Sequence, residues 1–245
     1  IVYLTGANTV WRLGYSEAFL SPAPFFRFKE YPGFVPNPDL LPEKMRALDL
    51  GWQREWTNNL DLNVVAYRLL LEDVIYRTIG GTTVNPDSNQ NLGTLDNTGV
   101  NLALNWAPSA GYEYWLSAGY IDGRLENIDP MQPSSEYPVL FTSRWHGSLG
   151  MTWSGKRYTV TPSLEFADRA DGGFAAVNEG GSSPGYGLVN LFVRMHNVLV
   201  KNGEVTLKIQ NVFDRRWYQP GLGRMDFSAV PQETRNIMLG YSWRY

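Results

Sequence analysis

The sequence predicts an all-β chain, an antiparallel up-and-down β-barrel of the membrane-spanning kind. Three observations predict it. Apolar and polar side chains alternate over segments of about ten residues or more, enough for a tilted strand to cross a bilayer. The links between segments are short and long in strict alternation. The 245 residues are 14% aromatic, with 9 Trp and 14 Tyr, yet only 18% charged. Membrane barrels use such rings as two interfacial girdles.

The strand segments are 9–18, 43–56, 59–77, 96–107, 111–123, 142–153, 156–169, 184–196, 203–213 and 232–245, with no helical stretch between them. Val100, Leu102, Leu104 and Trp106 alternate with Asn101, Ala103 and Asn105. Tyr112, Tyr114, Leu116, Ala118 and Tyr120 share a face of the next segment. Trp145, Gly147, Leu149, Met151 and Trp153 oppose Arg144, His146, Ser148 and Thr152. Val205, Leu207 and Ile209 oppose Thr206, Lys208 and Gln210. In the last segment Ile237, Leu239, Tyr241, Trp243 and Tyr245 form an apolar face, and Asn236, Met238, Gly240, Ser242 and Arg244 the other. A strand between lipid and a wet lumen has this pattern.

Thr57-Asn58-Asn59, Pro108-Ser109-Ala110 and Ser154-Gly155-Lys156 read as tight turns, and Asn197 to Asn202 as a longer one. Between them lie long links at 19–42, 78–95, 124–141, 170–183 and 214–231. Six prolines between 22 and 42 exclude a central strand there. Short turns on the periplasmic side and long loops outside give this parity, whereas a secreted β-sandwich has no reason to sort its links this way. The final strand then runs from the outer surface to the periplasm. Trp106, Tyr112, Trp153, Tyr241, Trp243 and Tyr245 become the expected membrane-girdle aromatics.

Composition narrows the function classes. A net charge of −3 gives no reason to expect nucleic acid as a partner. With no cysteine, disulfide scaffolds and thiolate metal sites are excluded. No apolar run reaches the length of a transmembrane helix. Ile1 begins directly in strand-like sequence with no signal peptide, which is expected of a fragment of a longer chain.

No enzyme motif is supported in context. Gly181-Ser182-Ser183-Pro184-Gly185 fits G-x-S-x-G, but a loop precedes it and a strand follows. Pro184 also forces Ser183 to be extended. Gly150 to Lys156 begins like a P-loop, but Arg157 replaces the Mg²⁺-binding Ser or Thr and no helix follows. Asn85, Asp87, Asn89 and Asn91 are spaced like Ca²⁺ ligands, without the Gly and distal Glu of an EF-hand, and read as a polar loop tip. The expectation is no catalytic residue, no metal site and no cofactor.

Two clusters remain: Phe25, Phe26, Arg27, Phe28 and Lys29 in the first long link, and Arg215, Arg216, Trp217, Tyr218 and Arg224 in the last. Rings beside cations suit an anionic or aromatic small molecule, with packing between loops as the alternative. The candidate ligand-binding residues are Phe25, Arg27, Tyr218 and Arg224 in these links, with Arg144 and His146 on a polar strand face.

Several segments together resemble the C-terminal half of TonB-dependent outer-membrane receptors. Asn37-Pro38-Asp39-Leu40-Leu41-Pro42-Glu43 is similar to the family's N-P-x-L-x-P-E segment, and Asp49-Leu50-Gly51-Trp52 to the strand that follows it. Pro184-Gly185-Tyr186 with Val189-Asn190-Leu191 is similar to a strand entry of the family. Gln210-Asn211-Val212-Phe213-Asp214-Arg215-Arg216-Trp217-Tyr218 is similar to its N-L-F-D-x-x-Y stretch, with Val212 for Leu and one extra residue. Pro231 to Arg235 is similar to the P-G-R turn before the last strand, and Tyr245 stands where the family usually has Phe.

The resemblance implies a barrel of about 22 strands with a plugged lumen. Ten strands are then a partial barrel, and residues 1–245 its C-terminal part, with the plug and first strands upstream. It implies energy-coupled uptake of a scarce ligand such as a ferric siderophore, in the outer membrane of a Gram-negative bacterium, by a protein that is not an enzyme. Implied partners are outer-membrane lipid, the TonB system through the plug, the barrel-assembly machinery through the terminal strand, and a small-molecule ligand. A passive porin-like barrel and a secreted β-sandwich binder are the alternative classes.

Overall fold

The computed structural model describes residues 2–4, 8–56, 59–77, 86–126, 136–172, 182–221 and 229–243, with backbone only for 2–4. The chain forms β1 (Val2–Leu4), β2 (Thr9–Leu20), α1 (Pro24–Phe28), β3 (Glu43–Trp56), β4 (Leu60–Glu72), β5 (Ile75–Arg77), β6 (Asn89–Asn91) and β7 (Thr94–Ser109). It continues through β8 (Tyr112–Glu126), β9 (Glu136–Pro138), β10 (Trp145–Ser154), β11 (Tyr158–Ala167), β12 (Tyr186–His196) and β13 (Gly203–Gln210). It closes with β14 (Tyr218–Pro220), β15 (Ala229–Pro231) and β16 (Asn236–Trp243).

One antiparallel sheet runs β1-β2-β3-β4-β7-β8-β10-β11-β12-β13-β16, with β9 added beside β8. β5-β6 and β14-β15 are separate hairpins in the links. Each long strand pairs with the next in sequence, the meander that alternation and link parity predict. The sheet does not close: β1 and β16 are edges, as in a partial barrel. No second layer packs on either face among the described residues. Accordingly the chain exposes 15962 Å², against about 11,000 Å² for a compact soluble protein of this mass.

Register turns the alternation into two surfaces. Leu62, Leu104, Leu116, Leu149, Leu164 and Val189 stand side by side across six strands. One residue along, Asp61, Asn105, Trp115, Gly150, Ser163 and Asn190 line the opposite face. A slip of one residue would exchange the faces, so the aliphatic row fixes the pairing. Four strands carry aromatic rings eight positions apart on the apolar face: Trp11 and Phe19, Tyr112 and Tyr120, Trp145 and Trp153, Tyr158 and Phe166. Eight residues span about 27 Å along a strand, or about 20 Å of height at a typical barrel tilt. That is nearly the height of an apolar membrane band.

Several expectations are corrected. The segment 59–77 is not one strand. Asp73 turns out at φ 59 and ends the ladder, so 75–77 pairs with β6 instead. The link 19–42 contains a helical turn, α1, started by Pro24 at its N-terminus. The turn expected at Pro108-Ser109-Ala110 lies at Ala110-Gly111, after a bulge between Trp106 and Ser109. Gly111 is required there: its φ is 83, and a Cβ would meet the Ser154 carbonyl oxygen at 2.6 Å. The segments 142–153 and 232–245 begin as strands only at Trp145 and Asn236. β13 has 8 residues rather than about ten, because Asn211, at φ 52, turns the chain.

Candidate functional site at the long-link end

The buried apolar side chains, Phe34, Leu40, Val74, Leu125, Ala170 and Leu188, gather toward the end of the sheet that carries the long links. The first and second long links are fastened there into one body. Asn91 Nδ2 donates to the carbonyls of Leu41 (2.9 Å) and Asp73 (2.7 Å), while its Oδ1 accepts from Leu41 N at 2.7 Å. Asn37 Nδ2 donates to Asn89 O, and Asn89 Nδ2 to Phe26 O, both at 2.9 Å. Glu43 Oε1 accepts from Ile75 N at 2.7 Å. Leu40 is 1% exposed beneath them. The Asn37–Glu43 segment is therefore a clasp, with Asn and Glu at its ends because backbone groups of the second link must be satisfied.

The clasp frames a cavity of about 530 Å³ lined by Phe25, Phe26, Phe34, Tyr76, Phe141 and the cations Lys29 and Arg77, among others. The Lys29 Nζ lies 4.4 Å from the Phe25 ring centre, 4.8 Å from Tyr31 and 5.6 Å from Phe34. No carboxylate pairs with Lys29 among the described residues. Arg77, by contrast, is neutralised by the buried Asp87. The lining thus carries one uncompensated positive charge among rings. Burial, then the Glu43 charge, pushes the Tyr76 phenol up to about 12, so it is a neutral hydroxyl at physiological pH.

In sequence Asp87 and Asn89 read as part of a polar loop tip. They are 2% and 7% exposed and hold the two links together. Ser183 is also buried, at 4%, with its backbone paired to Ala170, which suits the extended conformation that Pro184 imposes.

The predicted ligand residues do not converge on one pocket. Phe25 lines the clasp cavity. Arg27 does not: its Nη2 donates to Leu40 O at 3.3 Å. Arg144 lines a second cavity of about 270 Å³ with Asp168, Arg169 and Asp171, and lies 3.8 Å from Asp122. His146 lies on the polar face, its ring over Gly119, where a Cβ would meet Nε2 at 2.5 Å. Tyr218 is half-buried in the β14-β15 hairpin. Arg224 and Tyr245 lie outside the described residues. Trp106, Tyr112, Trp153, Tyr241 and Trp243 stand on the apolar face at the tight-turn end, between 37% and 51% exposed.

Lys29, Phe34, Tyr76 and Arg77 complete the cavity, and only Lys29 stands out in sequence, at the end of the aromatic run. A second bracket closes the last link. Asn211, 3% exposed, donates to Arg215 O at 2.7 Å and accepts from Arg215 N at 2.9 Å. Asp214 Oδ1 accepts from Arg235 N at 2.9 Å, which, as the largest cause, holds its carboxyl below the usual range. The Trp217 indole donates to Glu233 O at 2.9 Å and its ring packs tilted against Tyr186, with centres 4.6 Å apart.

An open antiparallel meander with one lipid-type face, with brackets and a cavity in its long links, defines a class, the wall of a membrane barrel. Residues 1–212 match the family described as TonB dependent receptor-like, beta-barrel, and the chain belongs to that family. Among solved structures it resembles the ferric-catecholate import receptor Fiu of E. coli K12, with a TM-score of 0.76 at 16% identity over 98% of this chain and 33% of that one. It also resembles the pyoverdine outer-membrane receptor FpvA of Pseudomonas aeruginosa PAO1 (TM-score 0.76, 14% identity, 100% and 35%). The copper transporter OprC is similar too (TM-score 0.74, 16% identity, 97% and 37%). The chain spans about a third of the length of these proteins. Compared by sequence with curated proteins, it has no match.

Proposed function

We propose that residues 1–245 are the C-terminal wall of an outer-membrane receptor that takes up a scarce anionic ligand with an aromatic or other flat apolar part, by energy-coupled transport. The plug and first strands belong to the rest of that receptor. Energy reaches the ligand through the plug and the TonB system, and no bond in the ligand is broken. The observation that carries the ligand class is Lys29, an ammonium held by three rings with no carboxylate, on the wall of the clasp cavity. Stacking leaves that charge available to an anionic group, and the phenyl rings supply flat apolar contact. About 530 Å³ suits a small molecule. A bare cation such as copper gains nothing from Lys29, so ferric catecholate and ferripyoverdine are better probes. Arg144 and His146 would meet the ligand later, on the polar face, and Tyr218 and Arg224 from the last link.

The test is uptake of iron-labelled catecholate and pyoverdine complexes by cells carrying the full-length receptor. Uptake should stop on adding a protonophore, and Lys29→Met should weaken ligand binding by about tenfold, the loss of one charge-assisted contact. Uptake that survives the protonophore would mean a passive barrel.

A further inference from the structure

The lipid-type face carries charge at both ends, in two different ways. At the long-link end its cations are partnered: Lys44 with Asp73 (3.0 Å), Arg46 with Glu72 (2.8 Å), Arg68 with Asp96 (2.6 Å) and Arg124 with Glu136 (3.1 Å). At the tight-turn end stands Arg54. Its register neighbours are Thr9 and Leu62, which place it on the apolar face two residues before β3 ends. No carboxylate pairs with it among the described residues. Its guanidinium instead lies 4.9 Å from the Trp56 ring centre. Trp56 meets Trp52 edge-on at 6.1 Å, and Trp52 lies 6.2 Å from Trp11.

A charge facing lipid must find a partner at the headgroup level. Stacking uses the face of the guanidinium and leaves its in-plane N–H groups free, a fork matched to two oxygens of one phosphate. The three tryptophans fix the height, because indoles settle at the interface. We propose that Arg54, Trp56 and Trp52 form a binding site for the phosphodiester of a glycerophospholipid on the tight-turn side of the membrane. The acyl chains lie along the aliphatic row beginning at Leu62. At the other end Arg46 and Arg124 are each neutralised by a carboxylate, and Arg68 has its fork filled by both oxygens of Asp96, so they form no such site.

The experiment is native mass spectrometry of the purified full-length receptor, titrated with phosphatidylglycerol, with dioleoylglycerol, or with inorganic phosphate. Wild type should retain phosphatidylglycerol in preference to dioleoylglycerol. Arg54→Ala should weaken that retention by about tenfold, the loss of a charge-assisted pair of hydrogen bonds. Arg54→Lys keeps the charge without the fork and should lose about threefold. Arg68→Ala should match wild type. Heat-modifiable migration on gels reports folding, and Arg54→Lys decides the matter if Arg54→Ala does not fold. Equal retention by wild type and the Arg54 variants would overturn the site. So would equal retention of dioleoylglycerol, or displacement of the lipid by millimolar inorganic phosphate, which would make it a simple anion site.

Discussion

The tight-turn end and the long-link end of the sheet solve different solvation problems. At the turns the chain reverses in a few residues, and Trp153, Tyr241 and Trp243 point outward from the apolar face. On a membrane barrel such rings need no protein core, because interfacial aromatics are solvated by lipid and headgroups. At the long-link end the strands run on into long links. There the chain buries Phe34 and Leu40, pairs the cations on the lipid-type face of its strands and satisfies backbone groups with Asn37, Asn89 and Asn91. Among the described residues the buried apolar side chains gather at this end, and the clasp cavity is built on them.

If that division is right, the largest effect belongs to the clasp. Asn91→Leu removes three hydrogen bonds and leaves the Leu41 and Asp73 backbone groups without them. The clasp should lose about 2–4 kcal/mol. Limited trypsin digestion of the full receptor should then cut after Arg27 or Lys29, where wild type resists. Ligand binding should fall while the barrel keeps its heat-modifiable migration. Unchanged protection of these sites would break the comparison at the link end.

The turn end should respond in the opposite sense. Trp153 is 37% exposed on the apolar face, so Trp153→Ala gives up ring contact with lipid as well as with its neighbours. The expected cost is about 1–2 kcal/mol, below the 3–5 of a fully buried ring. Urea unfolding in liposomes should show that loss, with ligand affinity unchanged. A drop in affinity would mean that the two ends are coupled through the wall.

Alternation made the wall legible in sequence because each strand residue has one lipid or one lumen environment. Val100 to Trp106 needs no distant partner to be assigned a face. The links were less legible. Asn91 lies in a polar run that resembles an exposed tip, and its role depends on Leu41, fifty positions away. Arg27 reads in sequence as a cation among rings, yet its guanidinium turns to the Leu40 carbonyl and Lys29 takes the place over the rings. Arg77 was hidden because its strand segment reads as continuous, when Asp73 breaks it. The long-range hydrogen bonds that decide these positions leave no periodic trace.

The smallest predicted effect uses pH to separate the links. Tyr76 lies half-buried in the clasp cavity with its phenol raised to about 12, by burial first and Glu43 second. The folded value is above the ordinary one of about 10, so the neutral phenol stabilises the clasp at every pH below that. The contribution is lost as pH rises from about 10 to about 12. Asp214 has the opposite sign: its carboxyl is depressed, so the last link keeps its bond to Arg235 until pH falls below the usual carboxylate range. Alkaline titration, followed by tyrosinate absorbance and trypsin access after Lys29, should therefore open the first two links while the last stays closed. Tyr76→Phe has no phenol to ionise, and in it this alkaline step should vanish. A step of the same size in the variant would assign the opening to another group and remove Tyr76 from the clasp.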